Sequence, residues 1–194
     1  MPKKIMLLGD SIRLYTEEAT RAKLGADFEV YGPRDNGRFA AYTFNALRAY
    51  LVECPDPDII HWNNGLWDCA TPYDDGVMTP LDVYLDYLDR IHRMLAKTGA
   101  TIIFATSTPT RPEKETISVP RSMRHFNTDI ERFNRAAAEM LSAKGVLIND
   151  LYPVVYPHLY EYINGEDFIH PTEAGVDAIS TAVADFIRKI ADNM

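Results

Sequence analysis

The sequence predicts an α/β protein: a three-layer α/β/α sandwich on a five-stranded parallel sheet. Three observations carry the prediction. Short apolar runs alternate with helical periodicity along the whole chain, in the order βαβαβαβαβα. The run Thr101-Ile102-Ile103-Phe104-Ala105-Thr106 is almost wholly apolar, as a central parallel strand covered on both faces must be. No internal repeat, low-complexity tract or linker breaks the pattern, so residues 1–194 read as a single domain.

Taken in order, the first strand is Lys4 to Gly9, and the first helix follows at once and runs to about Leu24, where Gly25 stops it. Phe28 to Tyr31 is a short second strand. A loop through Gly32-Pro33 and Gly37 leads to a second helix, with Phe39, Thr43, Leu47, Tyr50 and Leu51 near helical spacing, and Pro55-Asp56-Pro57 ends it. Asp58 to Trp62 is the third strand, running into Asn63-Asn64-Gly65-Leu66-Trp67-Asp68. The third helix carries Leu81, Tyr84, Leu85, Leu88, Ile91 and Leu95 on one face and stops at Gly99.

After the fourth strand, Ser107 to Arg121 has three prolines and no periodicity. An unstructured stretch of that length at the carboxyl end of a strand is a candidate substrate lid. The fourth helix has Met123, Phe126, Ile130, Phe133 and Ala137 on its apolar face, and Gly145 ends it. Val146 to Ile148 is the fifth strand. A Tyr- and Pro-rich loop then runs to Asp167-Phe168-Ile169-His170-Pro171, and Thr172 caps a last helix with Val176, Ile179, Val183, Phe186, Ile187 and Ile190 as its buried stripe.

Composition narrows the partners. The formal charge is −8 with no basic block, which argues against nucleic acid or an anionic membrane surface. No apolar run approaches the roughly 20 residues needed to span a bilayer. The apolar part of the N-terminal stretch is too short for a signal-peptide core, and the two cysteines, Cys54 and Cys69, form no CxxC; both point to a cytoplasmic protein with reduced thiols. No His/Cys/Asp cluster has metal-ligand spacing, so no metal or organic cofactor is expected. His61 reads as a core or strand-end residue, and His125 as a surface residue or, alternatively, one lining the rim.

The chemistry is carried by the two ends of the chain. Ser11 sits at a strand-to-helix junction, where free backbone N–H groups and the helix dipole favour a developing negative charge. A serine there is either a helix N-cap or a nucleophile. A nucleophilic serine needs a base, and the base needs an orienting partner. Asp167 and His170 supply both types, three residues apart before the last helix. Asp150, beyond the fifth strand, is a second candidate for the orienting acid.

With those residues in view, the sequence resembles the SGNH/GDSL hydrolase family over essentially its whole length. Gly9-Asp10-Ser11 is similar to the family's nucleophile block, and Asp167-Phe168-Ile169-His170-Pro171 to its DxxHP block. Gly37 matches the glycine whose N–H helps form the oxyanion hole. Asn63 to Asp68 lies where the family carries Gly-x-Asn-Asp, but aligning Gly65 and Asp68 puts Trp67 in place of the oxyanion-hole asparagine, so Asn64 or Asn63 must supply that donor, with Asn64 favoured. The resemblance implies a flavodoxin-like parallel sheet and a serine esterase acting on a small acyl ester, such as an acetylated sugar. It implies Ser11, His170 and Asp167 as the catalytic set, Ser11, Gly37 and Asn64 as oxyanion donors, and Asp10, Asn63 and Trp67 against the substrate. The alternative is a catalytically impaired module of the same fold that binds an acylated ligand, which Trp67 would permit. A flavodoxin-like cofactor binder is less favoured, because no Gly-rich phosphate loop is present.

Overall fold

The computed structural model describes residues 2–73, 75–116 and 123–194. Five strands form one sheet: β1 (Lys3–Leu8), β2 (Phe28–Tyr31), β3 (Ile59–Trp62), β4 (Thr101–Ala105) and β5 (Leu147–Asn149). Their order is β2-β1-β3-β4-β5, and every neighbouring pair is parallel. Parallel neighbours need crossovers, and helices supply them on both faces: α1 (Ser11–Leu24), α2 (Ala40–Glu53), α3 (Leu81–Leu95), α4 (Asn127–Ser142) and, at the end of the chain, α7 (Glu173–Ala191). Covered on both sides, the inner strands need no polar face. All four residues of β3 are buried, as are Ile102, Ile103, Phe104 and Ala105 of β4.

The chain leaves β1 for one edge and returns to β3 on the other side, so strand order reverses between β1 and β3. Open α/β sheets bind ligands at such a crevice, beyond the carboxyl ends of the strands. The register pairs Leu8 with Trp62, so Gly9 and Asn63 leave the sheet side by side. The Asn63 N–H extends the ladder to the Leu8 carbonyl at 3.0 Å.

Helix α1 faces the sheet with few large apolar groups. Thr16 and Thr20 are buried there, their hydroxyls satisfied by the Ile12 and Thr16 carbonyls at 2.9 and 2.8 Å. Thr16 and Thr20 line a small cavity with Ile179 and Val183 of α7, and α1 packs along α7. Contact between the first and last helices draws the two ends of the chain to one side of the sheet.

Three regions differ from the sequence expectation. Helix α4 starts at Asn127, four residues after Met123. The segment read as a Tyr- and Pro-rich loop folds into α5 (Tyr152–Val155), a 3-10 turn (Tyr156–His158) and α6 (Leu159–Tyr162). Elements of one turn are shorter than the window in which periodicity shows, so no pattern reveals them. The candidate lid is pinned where it is described. The Asn134 side chain of α4 bonds both the N–H and the carbonyl of Ser107 at 2.8 Å, and Asn127 does the same for Thr110 at 3.0 and 2.8 Å. A 3-10 turn follows at Pro112–Glu115, and residues 117–121 of that stretch lie outside the described residues. Among the described residues, no helix is long and apolar enough to cross a membrane.

Candidate active site

The turn after β1 presents Ser11. Asp10, not Ser11, is the N-cap of α1: its Oδ1 accepts the Ile12 N–H at 2.9 Å. With the cap filled by its neighbour, Ser11 becomes the first helical residue and its hydroxyl is released. Its backbone N–H, one of the unsatisfied donors at a helix start, has no acceptor among the described residues.

The loop before α7 is built to present His170. Asn164 closes it: its Oδ1 accepts the N–H groups of Glu166 and Asp167 at 2.9 Å each, and its amide donates to the His170 carbonyl at 2.9 Å. Within that ring Phe168 takes a left-handed φ of 66°, a strained position for a side chain with a Cβ. The Arg111 N–H holds the Phe168 carbonyl at 2.9 Å, and the Arg111 guanidinium bonds the carbonyls of Ile163 and Tyr160. Arg111, in the stretch after β4, thus braces the turn between Asp167 and His170. Thr172 caps α7 by accepting the Gly175 N–H.

These two segments meet. His170 Nε2 lies 2.8 Å from Ser11 Oγ, and His170 Nδ1 lies 2.7 Å from Asp167 Oδ2. The other carboxylate oxygen of Asp167 accepts the N–H groups of Ile169 and His170 at 3.0 and 2.9 Å. Burial pushes the Asp167 carboxyl up, but the bonds from the His170 backbone, the His170 ring and the Ile169 backbone outweigh it, and the pKa falls to about 2. An ionised carboxylate only accepts, so Nδ1 carries the ring proton and Nε2 is left to accept from the Ser11 hydroxyl. Asp150 takes no part: its Oδ1 accepts from Thr106 Oγ1 at 2.7 Å.

No family model matches the sequence, and a search of curated proteins returns no match. Solved structures do match in fold. A lipase/acylhydrolase from Enterococcus faecalis superposes with a TM-score of 0.77 at 17% identity, covering 96% of each chain. An acetyl xylan esterase gives 0.73 at 15% identity, covering 95% of this chain and 99% of that one. A GDSL-like lipase from Bacteroides thetaiotaomicron gives 0.72 at 14% identity, covering 97% and 89%. The chain has the SGNH/GDSL hydrolase fold.

Within this SGNH fold, three residues expected at the site, Gly37, Asn64 and Asp10, have other occupations. Gly37 donates its N–H to the Gly9 carbonyl at 2.9 Å, so it is not free for an oxyanion in this conformation. The glycine is needed for close approach instead, since a Cβ would sit 2.6 Å from that carbonyl oxygen. Gly37→Ala is therefore expected to destabilise the fold by about 1–3 kcal/mol, read as a lower denaturation midpoint; an unchanged midpoint would show that the turn relaxes without cost. Asn64 is fully buried with both amide hydrogens used, on the Arg38 carbonyl at 3.1 Å and Thr43 Oγ1 at 2.9 Å, while its Oδ1 accepts from Trp62 Nε1 at 2.7 Å. It ties the end of β3 to α2 and has no donor left.

Asp10 is 0% exposed and so cannot face a substrate. Burial raises its pKa to about 6 against the opposing Ile12 N–H, His170 and Arg13. The indole N–H of Trp67, which is partly exposed, has no acceptor among the described residues, and no hydrogen bond or ring contact ties Trp67 to Ser11 or His170. Asp68, the acid of that block, is buried and accepts the Ala40 N–H at 3.0 Å, anchoring the start of α2.

Asn63 remains. One hydrogen of its amide goes to the Ala105 carbonyl at 2.8 Å, which leaves the second. Its Cβ lies 3.6 Å from the place a Cβ on Gly9 would occupy, beside the turn that carries Ser11.

His125, expected on the surface, is 3% exposed, with Nε2 3.1 Å from the Leu66 carbonyl; burial pulls its imidazole down to about 4. Among the described residues, no three His, Cys, Asp or Glu side chains group as a metal site would need.

Two residues near the centre were missed by the sequence reading. Arg111 gave no signal, because it acts through backbone carbonyls far along the chain. Tyr15 did give one: it lies four residues after Ser11 on the same helix face, and its ring stacks on His170.

Proposed function

We propose that this protein is a serine esterase that cleaves a short-chain oxygen ester through an acyl-enzyme. The hydrogen-bonded series Ser11 Oγ, His170, Asp167, at 2.8 and 2.7 Å, is the observation that carries the reading. Ser11 Oγ attacks the ester carbonyl as His170 Nε2 takes its proton. The tetrahedral oxyanion is held by the Ser11 backbone N–H and the free amide hydrogen of Asn63. His170 returns the proton to the leaving alcohol. Water, activated by the same nitrogen, then releases the acid and restores Ser11. Solved structures of the same fold named as an esterase, a lipase and an acylhydrolase support ester cleavage as the reaction class.

Labelling by a fluorophosphonate tests the nucleophile. Stoichiometric modification that maps to Ser11 is the expected result; a folded protein that stays unlabelled would sink the reading.

The occupied amides of Gly37 and Asn64 favour a second reading, a module of this fold that holds an acylated ligand without turning it over. Asn63 separates the two. As an oxyanion donor, its loss in Asn63→Ala lowers kcat by about 10²–10³-fold with KM little changed. If kcat in that variant matches the wild type, Asn63 is not the donor. If neither protein turns over any ester, the binding module stands.

A further inference from the structure

We infer that Tyr15 is a positioning residue for His170, holding the imidazole in line with Ser11 and stabilising the positive charge it acquires during acyl transfer. This rests on the serine-esterase reading.

The imidazole is fixed at two points in its own plane, Nδ1 by Asp167 and Nε2 by Ser11. Two in-plane bonds leave one motion open, a tilt of the ring about the line joining them. A contact on the ring face resists that tilt. Tyr15 provides it: the two ring centroids lie 4.7 Å apart with 20° between the planes. The stack comes from helix geometry. Ser11 and Tyr15 are four residues apart on α1, so both side chains reach the same neighbour.

Tyr15 is 53% exposed, so burial in the core does not explain why the ring sits there. Its hydroxyl bonds to nothing among the described residues, so the aromatic face is what the contact uses. The π-face of a tyrosine carries negative potential. It attracts an imidazolium more than a neutral imidazole, so the contact strengthens as His170 takes the serine proton.

The test compares Tyr15→Phe and Tyr15→Leu with the wild type, reading kcat and KM on a p-nitrophenyl ester. Phe keeps the face and stays within about twofold. Leu keeps apolar bulk but removes the π-face, and kcat falls about three- to tenfold at unchanged KM. A second readout needs no turnover: the proton NMR signal of the Nδ1–H bonded to Asp167 is expected to be sharp in the wild type and Tyr15→Phe and broadened in Tyr15→Leu. Wild-type kcat together with an unchanged signal in the Leu variant overturns the proposal. So does a rise in KM alone, which would place Tyr15 against the substrate instead. If no ester is hydrolysed by any of the three while the signal still broadens in the Leu variant, the esterase reading fails and the positioning of the ring by Tyr15 survives.

Discussion

Ser11→Ala is expected to lower ester hydrolysis by at least about 10⁴-fold. The alanine keeps the backbone N–H and the Asp10 cap, so helix α1 still starts where it does. Only the hydroxyl proposed as the nucleophile is lost, along with its bond to His170 Nε2. The measurement is turnover of p-nitrophenyl esters from two to eight acyl carbons, with wild type and variant side by side. A wild-type maximum at a short chain, absent in the variant, is the expected result. Turnover that survives in Ser11→Ala would mean the nucleophile lies elsewhere.

Asp167→Asn is expected to cost about 10³–10⁴-fold in kcat while leaving the loop in place. The asparagine oxygen can still accept the N–H groups of Ile169 and His170, as Oδ1 does now. The amide nitrogen then faces Nδ1 where an acceptor stood. The ring must present Nδ1 as the acceptor and carry its proton on Nε2, where it can no longer take one from Ser11. Stability supplies a second readout. Asp167 titrates at about 2, below its ordinary value of 3.8. A lowered acid pKa stabilises the fold fully above pH ~4 and loses that contribution as pH falls toward ~2. Acid unfolding of the asparagine variant lacks this component. Near wild-type kcat in Asp167→Asn would remove Asp167 as the orienting group.

Much of the architecture is legible in the sequence because it depends on local periods. The apolar runs at Ile5, Ile59 and Ile103 mark the inner strands, and Gly25, Gly99 and Gly145 mark where helices stop. The short helices between Tyr152 and Tyr162 were not legible, being single turns. At the site, the residue types at Ser11, Asp167 and His170 name the side chains that meet. The parallel sheet and the α1–α7 contact explain how residues 159 positions apart come together.

Which polar groups stay free at the site was not legible. Gly37, Asn64 and Asp10 each have the right type beside the right block, and each is used by a neighbour: the Gly9 carbonyl, Thr43 with the Arg38 carbonyl, and the Ile12 N–H. A side chain's capacity to donate or accept is written in its type. How that capacity is used depends on which groups long-range packing brings within about 3 Å. By itself the sequence determined the alternation of strands and helices, the glycines at which three helices stop and the residue types at Ser11, His170 and Asp167. Only the tertiary structure decided that Asp10 caps α1, that Asn64 is spent and Asn63 is not, and that Tyr15 lies on the imidazole. Buried polar groups must find partners, and the choice among partners is made by the fold as a whole.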